Sequence, residues 1–351
     1  MRSLLTVCVW LAIQVTLEAL WHRALGLSGF GIIFLLYLDF AVVLPLLSLW
    51  LWIRHFALGG HHRMTRPAAT LALLTLTGPA FAYYATWVEP FDLKLEEHTV
   101  GLASGRGGGA DFTIAVIADL QARKVTEYER RAIALVMANN PDIILIAGDI
   151  IHWSDMDEYV AAIPEFQSLL QELHAPSGVY FVQGNTDVPE LESLLFQDTD
   201  VIPLLDEMTN LEIRGNKVTL GGLALAHHRV ASGQALLQRM ESDSEEADIR
   251  ILLSHMPDPL LDLSPNSRID LIVAGHTHGG QVQIPFFGPP ITLSQVPRYV
   301  AAGGLSEHEG NVIYVSRGIG VERAQAPRVR FLSPPEVSLL TVVSNPPSGR
   351  N

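Results

Sequence analysis

The sequence predicts an α/β fold with two mixed β-sheets packed face to face and flanked by helices, preceded by an N-terminal transmembrane helical segment. Three observations support this. Aliphatic runs alternate with helix-forming stretches over residues 112–182, which is typical of parallel βα units. Later strand-like runs follow one another closely and indicate a second, more antiparallel sheet. The first 90 residues are predominantly apolar.

The apolar N-terminal region predicts about three transmembrane helices within residues 1–90. Each of three apolar stretches approaches the roughly 20 residues that cross a bilayer, and they lie at 3–20, 30–53 and 67–88. A signal peptide is the alternative for the first stretch, but no small-residue cleavage site follows it.

Charged residues around these stretches predict their orientation. Between the second and third stretches lie Arg54, His55, His61, His62, Arg63 and Arg66, whereas Glu89, Asp92, Glu96 and Glu97 follow the third. Positive loops stay in the cytoplasm, so the third helix should run outward. We therefore expect an integral protein of the cell or inner membrane with its large domain outside the cytoplasm.

Residues 91–345 form the predicted α/β domain, and residues 346–351 a flexible tail. Early strands are expected at 93–102, 113–118, 142–147 and 179–182, with helices at 126–139 and 155–173. Later strands are expected at 211–214, 217–226, 249–253, 269–274, 311–315 and 336–343. The glycine-rich run 104–109 lacks the Gly-Lys-Ser/Thr ending of a phosphate loop and is interpreted as a turn. The acidic run 241–248 is interpreted as a solvated loop.

Composition restricts the classes of partner. The 351 residues include 37 acidic and 23 basic side chains, giving a formal net charge of −14, and a single cysteine, Cys8. The negative charge argues against a nucleic-acid partner, since no basic face is available. One cysteine rules out a disulfide framework and a thiolate zinc site. Function must therefore be inferred from the motifs of the large domain.

Five short polar clusters follow predicted strands in a fixed order. They are Asp119-Leu-Gln121, Gly148-Asp149, Gly184-Asn185-Thr186-Asp187, Ser254-His255 and Gly275-His276-Thr277-His278. A single Asp or His after a strand is more often a cap or turn residue than a ligand, and Gly-Asp and Gly-Asn are ordinary turn signals. In His276-x-His278, however, an extended backbone places both imidazoles on one side. The complete set therefore predicts a metal centre.

Two divalent ions fit this donor set. Asp149 is the predicted bridging ligand; Asp119, Gln121 and His278 complete one site, and Asn185, His255 and His276 the other. Two ions about 3.5–4 Å apart can hold a bridging hydroxide and phosphate oxygens. Oxygen and nitrogen donors without sulfur favour manganese, with iron, magnesium or zinc as alternatives.

At these residues the chain resembles the calcineurin-like metallophosphoesterase family. The family pattern is Asp-x-His, Gly-Asp, Gly-Asn-His-Asp/Glu, His, and Gly-His-x-His, and the resemblance covers about 112–343. Further motifs resemble the membrane-anchored bacterial branch, which includes some lipid-precursor hydrolases; they lie at 275–281, 285–288, 316–320, 328–331 and 335–336. The resemblance implies hydrolysis of a phosphoester or diphosphate by direct attack of a metal-bridging hydroxide.

Two residues depart from the family pattern. Gln121 stands where the family usually has His, although some manganese-dependent relatives carry Gln there. Thr186 replaces the His that contacts the phosphate and helps to protonate the leaving group in relatives. Losing a general acid typically removes roughly 10²–10⁴-fold in rate. Either another residue supplies the proton or the leaving group needs none.

Several residues are candidates to replace the missing general acid. His227 and His228 are expected at a strand end near the site, with surface histidines as the alternative, and Asp187 and His152 are further candidates. Arg317 and Arg323 are equally compatible with phosphate binding and with structural ion pairs. The predicted catalytic residues are Asp149, Asn185, His227 and His228.

The leading hypothesis is a membrane-anchored metal-dependent phosphoester or pyrophosphate hydrolase. The anchor and the pair Phe286-Phe287, a candidate membrane-facing lip, make a lipid-linked substrate a candidate. The alternative is a catalytically weakened membrane scaffold or binding protein, which Thr186 favours and the complete ligand set opposes. Oligomeric state is left open.

Overall fold

The computed structural model describes residues 28–58, 65–103, 106–242, 249–323 and 325–344. The predicted stretch 3–20 and the tail 346–351 lie outside these residues, as do parts of the runs 104–109 and 241–248. The described chain divides into two compact units. One draws on Met1–Glu89 and Glu322–Val329, and the other on Pro90–Val321 and Arg330–Asn351.

The first unit contains two helical segments long and apolar enough to cross a membrane, Gly29–Ala57 and Ala68–Phe91. They correspond to the predicted stretches 30–53 and 67–88. The helices are α1 Gly29–Leu38, α2 Leu44–Leu58, α3 Arg66–Thr75 and α4 Gly78–Tyr83, with π-helical turns at Asp39–Val43 and Tyr84–Val88. Hydrogen bonds join the segments, from Tyr37 to Thr86 at 2.6 Å and from Ser48 to Thr75 at 2.5 Å.

Two six-stranded mixed sheets form the centre of the second unit. The first has the order β1-β12-β2-β3-β4-β5 and the second β10-β11-β9-β8-β7-β6. The strands of the first sheet are β1 Lys94–Gly101, β2 Phe112–Ile117, β3 Ile143–Ile146, β4 Val179–Phe181, β5 Val201–Pro203 and β12 Glu336–Val343. Those of the second are β6 Glu207–Ile213, β7 Asn216–Leu223, β8 Ile249–Ser254, β9 Leu271–Ala274, β10 Gly304–His308 and β11 Asn311–Val315.

The sheets pack face to face, as predicted. Their shared core contains Ile114 and Leu145 from the first sheet and Ile251 and Val273 from the second, all buried. Strands β2 to β5 run parallel, and so do β7, β8, β9 and β11. Strands buried on both faces read as continuous aliphatic runs, which explains why the sequence located them.

Helices cover the outer face of each sheet. The helices of this unit are α5 Glu127–Ala138, α6 Met156–Leu170, α7 Pro189–Leu195, α8 Ala231–Glu241 and α9 Arg298–Ala301. Thr126 and Glu129 form a capping box at the start of α5, within the predicted helix 126–139. Helices α5 and α6 pack on the first sheet, and α8 and α9 on the second. The predicted fold class is therefore confirmed.

Two predicted strand boundaries were wrong. The strand expected at 211–214 begins at Glu207. The strand expected at 217–226 ends at Leu223, because Ala226 takes a left-handed backbone conformation with φ of 56°. A short 3-10 turn, His227–Arg229, follows. The two histidines therefore lie on a turn and not at the end of an extended strand.

Candidate metal centre

Parallel strands of both sheets deliver all seven predicted ligands to one cluster. Strands β2, β3 and β4 end at one edge of the first sheet, and β8 and β9 end at the corresponding edge of the second. The polar residues that follow them are Asp119, Gln121, Asp149, Asn185, His255, His276 and His278. Since loops between a sheet and its flanking helices start at this edge, residues distant in sequence meet there.

An amide and two imidazoles form the tightest part of the cluster. Asn185 Oδ1 lies 3.0 Å from His255 Nε2 and 3.0 Å from His276 Nδ1, and the two nitrogens are 3.1 Å apart. His255 Nδ1 lies 2.7 Å from the carbonyl oxygen of Ala147. That carbonyl can only accept, so Nδ1 carries the proton and Nε2 of the neutral ring presents a lone pair. Two acceptor atoms, His255 Nε2 and Asn185 Oδ1, therefore face each other.

Carboxylates adjoin this triangle. One ligand atom each from Asp119, Asp149 and His255 lie within 4.8 Å of one another, and all three residues are buried. His255 Nε2 is 3.7 Å from Asp149 Oδ1, and His278 Nε2 is 3.9 Å from Asp119 Oδ1. Gln121 Nε2 donates to Asp149 Oδ2 at 2.8 Å. Asp149 thus lies between the two predicted ligand sets.

The backbone at the cluster is strained. Asp119, Gln121, Asp149, His276 and His278 all have positive φ, between 38° and 70°. Left-handed conformations are uncommon for residues other than glycine and concentrate at functional sites. Five of the seven predicted ligands share this property, so their side chains are directed by strained turns rather than by regular strand geometry.

Two glycines allow the loops to approach each other closely. Gly148 has φ of 81°, and a Cβ there would lie 2.5 Å from Gly184 N and 2.9 Å from His255 Nδ1. A Cβ on Gly184 would lie 2.2 Å from Asp149 Oδ1. No larger residue fits either position without moving a predicted ligand. Close packing of the two loops therefore explains why glycine precedes Asp149 and Asn185.

Asp187 fixes the turn that carries Asp149. Its Oδ2 accepts from the backbone N–H groups of Asp149 at 2.7 Å and Gly184 at 2.8 Å, and its Oδ1 accepts from Ile150 N at 2.9 Å. Burial and the nearby Asp149 carboxylate raise the pKa of Asp187 to about 6. Because its oxygens already hold three backbone donors, Asp187 is a positioning residue, and the suggestion that it replaces the missing general acid is not supported by these contacts.

Burial also sets the protonation of the ligands. It lowers the pKa of His276 to about 4, with a contribution from His255, and it lowers the pKa values of His255 and His278. It raises the pKa of Asp149 against the opposing hydrogen bond from Thr186 N. Neutral imidazoles are the form that binds metals. The cluster therefore combines facing lone pairs with buried carboxyls, a donor set that a divalent cation fits.

Sequence reasoning missed one buried cation at the site. Arg330 is fully buried, and its guanidinium donates to the carbonyl oxygens of Arg317 at 2.7 Å, Gly318 at 3.1 Å and Ser333 at 2.9 Å. It also donates to Gly320 O, and its Nη2 lies 3.5 Å from His278 Nδ1. Burial lowers its pKa to about 10. The only sequence signal was the Arg328–Phe331 motif, which does not distinguish Arg330 from Arg328.

Arg330 holds a strap, defined as residues 317–320, against a ligand loop. Ile319 N donates to Ala118 O at 3.0 Å, and Gly320 N donates to Asp119 O at 2.7 Å. A Cβ on Gly318 would lie 2.7 Å from Asp119 Cβ. The strap thus contacts the backbone and side chain of Asp119. Because Arg330 binds the carbonyl oxygens of the strap, it helps to position Asp119 indirectly.

The remaining predicted site residues contact other groups. His227 is exposed and its Nδ1 lies 2.6 Å from Asp206 Oδ2. His228 is buried and accepts from Arg229 Nε at 3.0 Å. Burial lowers the pKa of His228. His227 thus contacts the segment between β5 and β6, and His228 contacts its own turn. A catalytic role for either histidine stays a prediction.

Of the two arginines considered for phosphate binding, Arg317 is occupied by ion pairs. Its Nε lies 2.5 Å from Glu336 Oε2 and its Nη2 lies 2.6 Å from Glu96 Oε1. Glu336 is itself fully buried. Arg317 therefore forms structural ion pairs, the alternative to phosphate binding, because its Nε and Nη2 groups each contact a carboxylate.

Comparison with known proteins agrees with this geometry. Residues 112–280 match the family model for the calcineurin-like phosphoesterase. The chain is 30% identical to the metallophosphoesterase YkuE of Bacillus subtilis over 284 residues, 78% of this chain and 94% of YkuE. It is 30% identical to the phosphodiesterase YaeI of Escherichia coli over 285 residues, 79% of this chain and 96% of YaeI.

Solved structures give more distant likenesses. The NAD nucleotidase of Haemophilus influenzae has a TM-score of 0.42 at 14% identity, with 63% of this chain and 46% of that chain covered. A dimetal phosphatase from Danio rerio has a TM-score of 0.37 at 12% identity, with 60% and 88% covered.

The fold and the buried ligand cluster define a metallophosphoesterase, a hydrolase of phosphoric esters that binds divalent metal. The family model and the similarity to YkuE and YaeI show that the chain belongs to the calcineurin-like phosphoesterase family. The resemblance noted from the motifs is therefore confirmed.

Proposed function

We propose that this protein is a membrane-anchored hydrolase of phosphodiesters or pyrophosphates with a two-metal centre that shares Asp149. The observation that carries the proposal is the triangle described above: His255 Nε2, Asn185 Oδ1 and His276 Nδ1 lie 3.0–3.1 Å from one another, and the first two present lone pairs. A cation satisfies both lone pairs. Asp149 and Asp119 lie close enough to contribute to the same cluster.

The chain's own residues divide into two ligand sets. Asp119, Gln121 and His278 would hold one ion, Asn185, His255 and His276 the other, and Asp149 would contact both. When bound, such a pair supplies Lewis-acid activation of water and neutralises charge on the phosphoryl oxygens. The donor set without sulfur favours manganese over iron, magnesium or zinc.

Thr186 restricts the substrate. Thr186 N donates to Asp149 Oδ1 at 2.8 Å, so this residue supports the shared carboxylate through its backbone. A threonine hydroxyl does not titrate near neutral pH and cannot replace imidazole as a general acid. We therefore propose a substrate whose leaving group departs without full protonation, such as a phosphate or a stabilised alkoxide, unless His227 or His228 supplies the proton.

The membrane anchor narrows the substrate further. Large apolar side chains on both helical segments are exposed, among them Leu46, Trp50, Phe56 and Leu74. Exposed apolar surface on helices of spanning length fits a lipid environment. We propose that the helices anchor the chain in the cell membrane, with the hydrolase unit outside the cytoplasm, and that the substrate is membrane-proximal and lipid-linked. One relative, YaeI, is a phosphodiesterase.

Thr186 also supports a second candidate, a catalytically weakened scaffold that binds a phosphorylated ligand without turnover. In that case the ligand set would still bind metal, but hydrolysis would be absent. The five strained residues fit both candidates, because both would bind metal through them, so turnover is the property that separates the two.

One experiment separates the candidates. The full chain is purified in detergent, its bound metal is measured, and it is assayed with Mn²⁺ on bis-p-nitrophenyl phosphate and p-nitrophenyl phosphate. We expect close to two equivalents of metal and turnover of the diester. Asp149→Ala should reduce turnover by roughly a thousandfold, equivalent to several kcal/mol of lost charge stabilisation.

The matched control is Asp200→Ala, which alters an exposed aspartate just before β5, at the sheet edge opposite the cluster. Its metal content and turnover should equal those of the wild type. Metal binding without turnover by the wild type would establish the scaffold instead. A folded wild type that binds no Mn²⁺ would refute both candidates.

A further inference from the structure

An exposed apolar loop adjoins the metal centre. Its large side chains point into solvent, and we call them the apolar lip: Ile284, Phe286, Phe287, Ile291 and Leu293. Phe286 is 111% exposed, as open as in an isolated extended peptide. Contiguous exposed apolar side chains of this size mark interaction surfaces in folded proteins.

The lip is fixed to the ligand loop that follows β9. Leu293 O lies 3.4 Å from His276 Nε2, and a Cβ on Gly280 would lie 2.3 Å from Pro289 Cβ. Hydrogen bonds from Gly288 N and Phe287 N to Ile284 O close the turn that carries Phe286. These contacts join the lip to the loop that carries His276, so the lip lies beside the candidate metal centre.

The backbone of the lip is arranged to expose its aromatic tip. Phe286 has φ of 66° and Leu293 has φ of 54°, both in the left-handed region. A bulky residue in this conformation costs stability, and Phe286 gains no packing in return. Such strain at an exposed phenyl group indicates a binding role.

The sequence segment that carries the lip differs in charge from the rest of the protein, and the one carboxylate shown bonding to the lip loop, that of Asp258, is buried and accepts from Ser294 Oγ at 2.7 Å and Gln295 N at 3.1 Å. The chain has 37 acidic residues in 351, yet residues 271–306 contain none, and Arg298 is their only Lys or Arg. The Arg298 guanidinium lies 4.0 Å from the centre of the Phe287 ring. Loss of carboxylates together with one arginine beside aromatic rings matches the headgroup region of a bilayer, where anionic phosphates attract Arg and apolar rings insert below them.

We propose that the apolar lip inserts into the headgroup region of the bilayer and so presents the metal centre to phosphate groups at the membrane surface. Its catalytic consequence rests on the proposed function. The candidate anchoring segments keep the hydrolase unit at the membrane, so even a small apolar surface can remain inserted, because anchoring supplies a high effective concentration.

Insertion is tested with an environment-sensitive NBD label on the full chain in proteoliposomes. In a Cys8→Ser background, one variant carries Phe286→Cys and its control carries Glu212→Cys. Glu212 is exposed and pairs with Lys217 at the start of β7, the sheet edge opposite the metal centre. We expect label 286 to shift its emission to the blue and to be quenched by brominated lipids, and label 212 to do neither.

Equal emission of the two labels without lipid quenching would refute the proposal. A second copy of the chain covering the lip would also refute it. In that case label 286 would be shielded in detergent as well as in lipid, escape quenching by brominated lipid, and respond to protein concentration.

The catalytic consequence is tested with two phosphodiesters that share a leaving group. The double variant Phe286→Ser/Phe287→Ser should hydrolyse soluble bis-p-nitrophenyl phosphate at the wild-type rate. On phosphatidyl-p-nitrophenol in phosphatidylcholine vesicles we expect a loss in kcat/KM of about tenfold. Equal rates of variant and wild type on both substrates would overturn the role of the lip. Absence of wild-type turnover on the soluble diester would instead count against the proposed function.

Discussion

Individual residues at the candidate metal centre have unfavourable left-handed backbone conformations that surrounding contacts stabilise. Asp119, Gln121, Asp149, His276 and His278 have positive φ, at a typical cost of about 1–3 kcal/mol each. The compensating contacts are visible: Asp187 binds the turn at Asp149, and the 317–320 strap covers Asp119. Ligand geometry in this protein therefore depends on residues that would not touch a metal.

Arg330 is the residue through which this dependence is most readily tested. Arg330→Lys keeps the positive charge but removes the planar fork that reaches several carbonyl oxygens at once. We expect the strap to loosen behind Asp119 and the affinity for Mn²⁺ to fall about 10–100-fold, as for other residues that orient metal ligands. Competition with a chelator on the purified full chain measures this affinity.

Arg328→Lys provides the control, because Arg328 is exposed and two residues away. It should bind Mn²⁺ as the wild type does. Equal affinities for the Arg330→Lys variant and this control would show that the strap does not position Asp119. Circular dichroism of both variants distinguishes a local effect from unfolding.

At the scale of strands and loops, a simple rule explains why the predicted ligand residues lie close together. Buried parallel strands read as aliphatic runs, and the polar residue after each run lies at the sheet edge. All seven predicted ligands reach one cluster for this reason, and the strands at 113–118, 142–147 and 249–253 are present within a residue or two. The rule uses only local sequence, which is why it worked without the structure.

The same rule fails for elements whose placement depends on tertiary contacts. The short strand β5, the helices α7 and α8, and the strand β10 were not predicted. Arg330 comes from the far end of the chain and meets the ligand loops only after the sheets pack. The turn at His227 also escaped prediction, because nothing in the sequence marks Ala226 for a left-handed conformation.

Helix α7 contains a carboxyl group that should make stability depend on pH. Glu192 lies in its first turn, and its buried Oε1 has no hydrogen-bond partner among the described residues. Burial, with the charges of Asp187 and Glu190, raises its pKa to about 7 from 4.5. The folded state thus favours the protonated form. Its contribution to stability is present below about pH 4.5 and is lost as pH rises towards 7.

Glu192→Gln keeps the side-chain shape but cannot ionise, so no buried charge forms at high pH. At pH 8 we expect the variant to be more stable than the wild type by about 1 kcal/mol, a rise in Tm of roughly 2–4 °C. At pH 5 the two should be nearly equal, because Glu192 is then largely protonated. Thermal unfolding at both pH values measures the difference. A variant that is no more stable than the wild type at pH 8 would contradict this prediction.

Across the whole chain, basic and acidic residues are separated along the sequence, and this separation bears on the proposed membrane orientation. Basic residues concentrate between the two apolar helical segments, from Arg54 to Arg66, while acidic residues begin directly after the second, from Glu89. The net charge of −14 is carried mainly by the hydrolase unit, whose carboxylates are absent from 271–306. The segment that carries the apolar lip is therefore free of the acidic side chains that anionic lipid would repel.

The charge distribution predicts which side of the membrane holds the hydrolase unit. In the proposed orientation, with the basic loop in the cytoplasm, Glu212 should be outside and His55, at the end of α2, inside. In intact cells expressing the Cys8→Ser chain, a membrane-impermeant maleimide should label Glu212→Cys at once and His55→Cys only after permeabilisation. A reporter that is active only outside the cytoplasm, fused after Asn351, should also be active. The reverse labelling pattern would place the metal centre in the cytoplasm, and substrates of the outer surface would then be excluded.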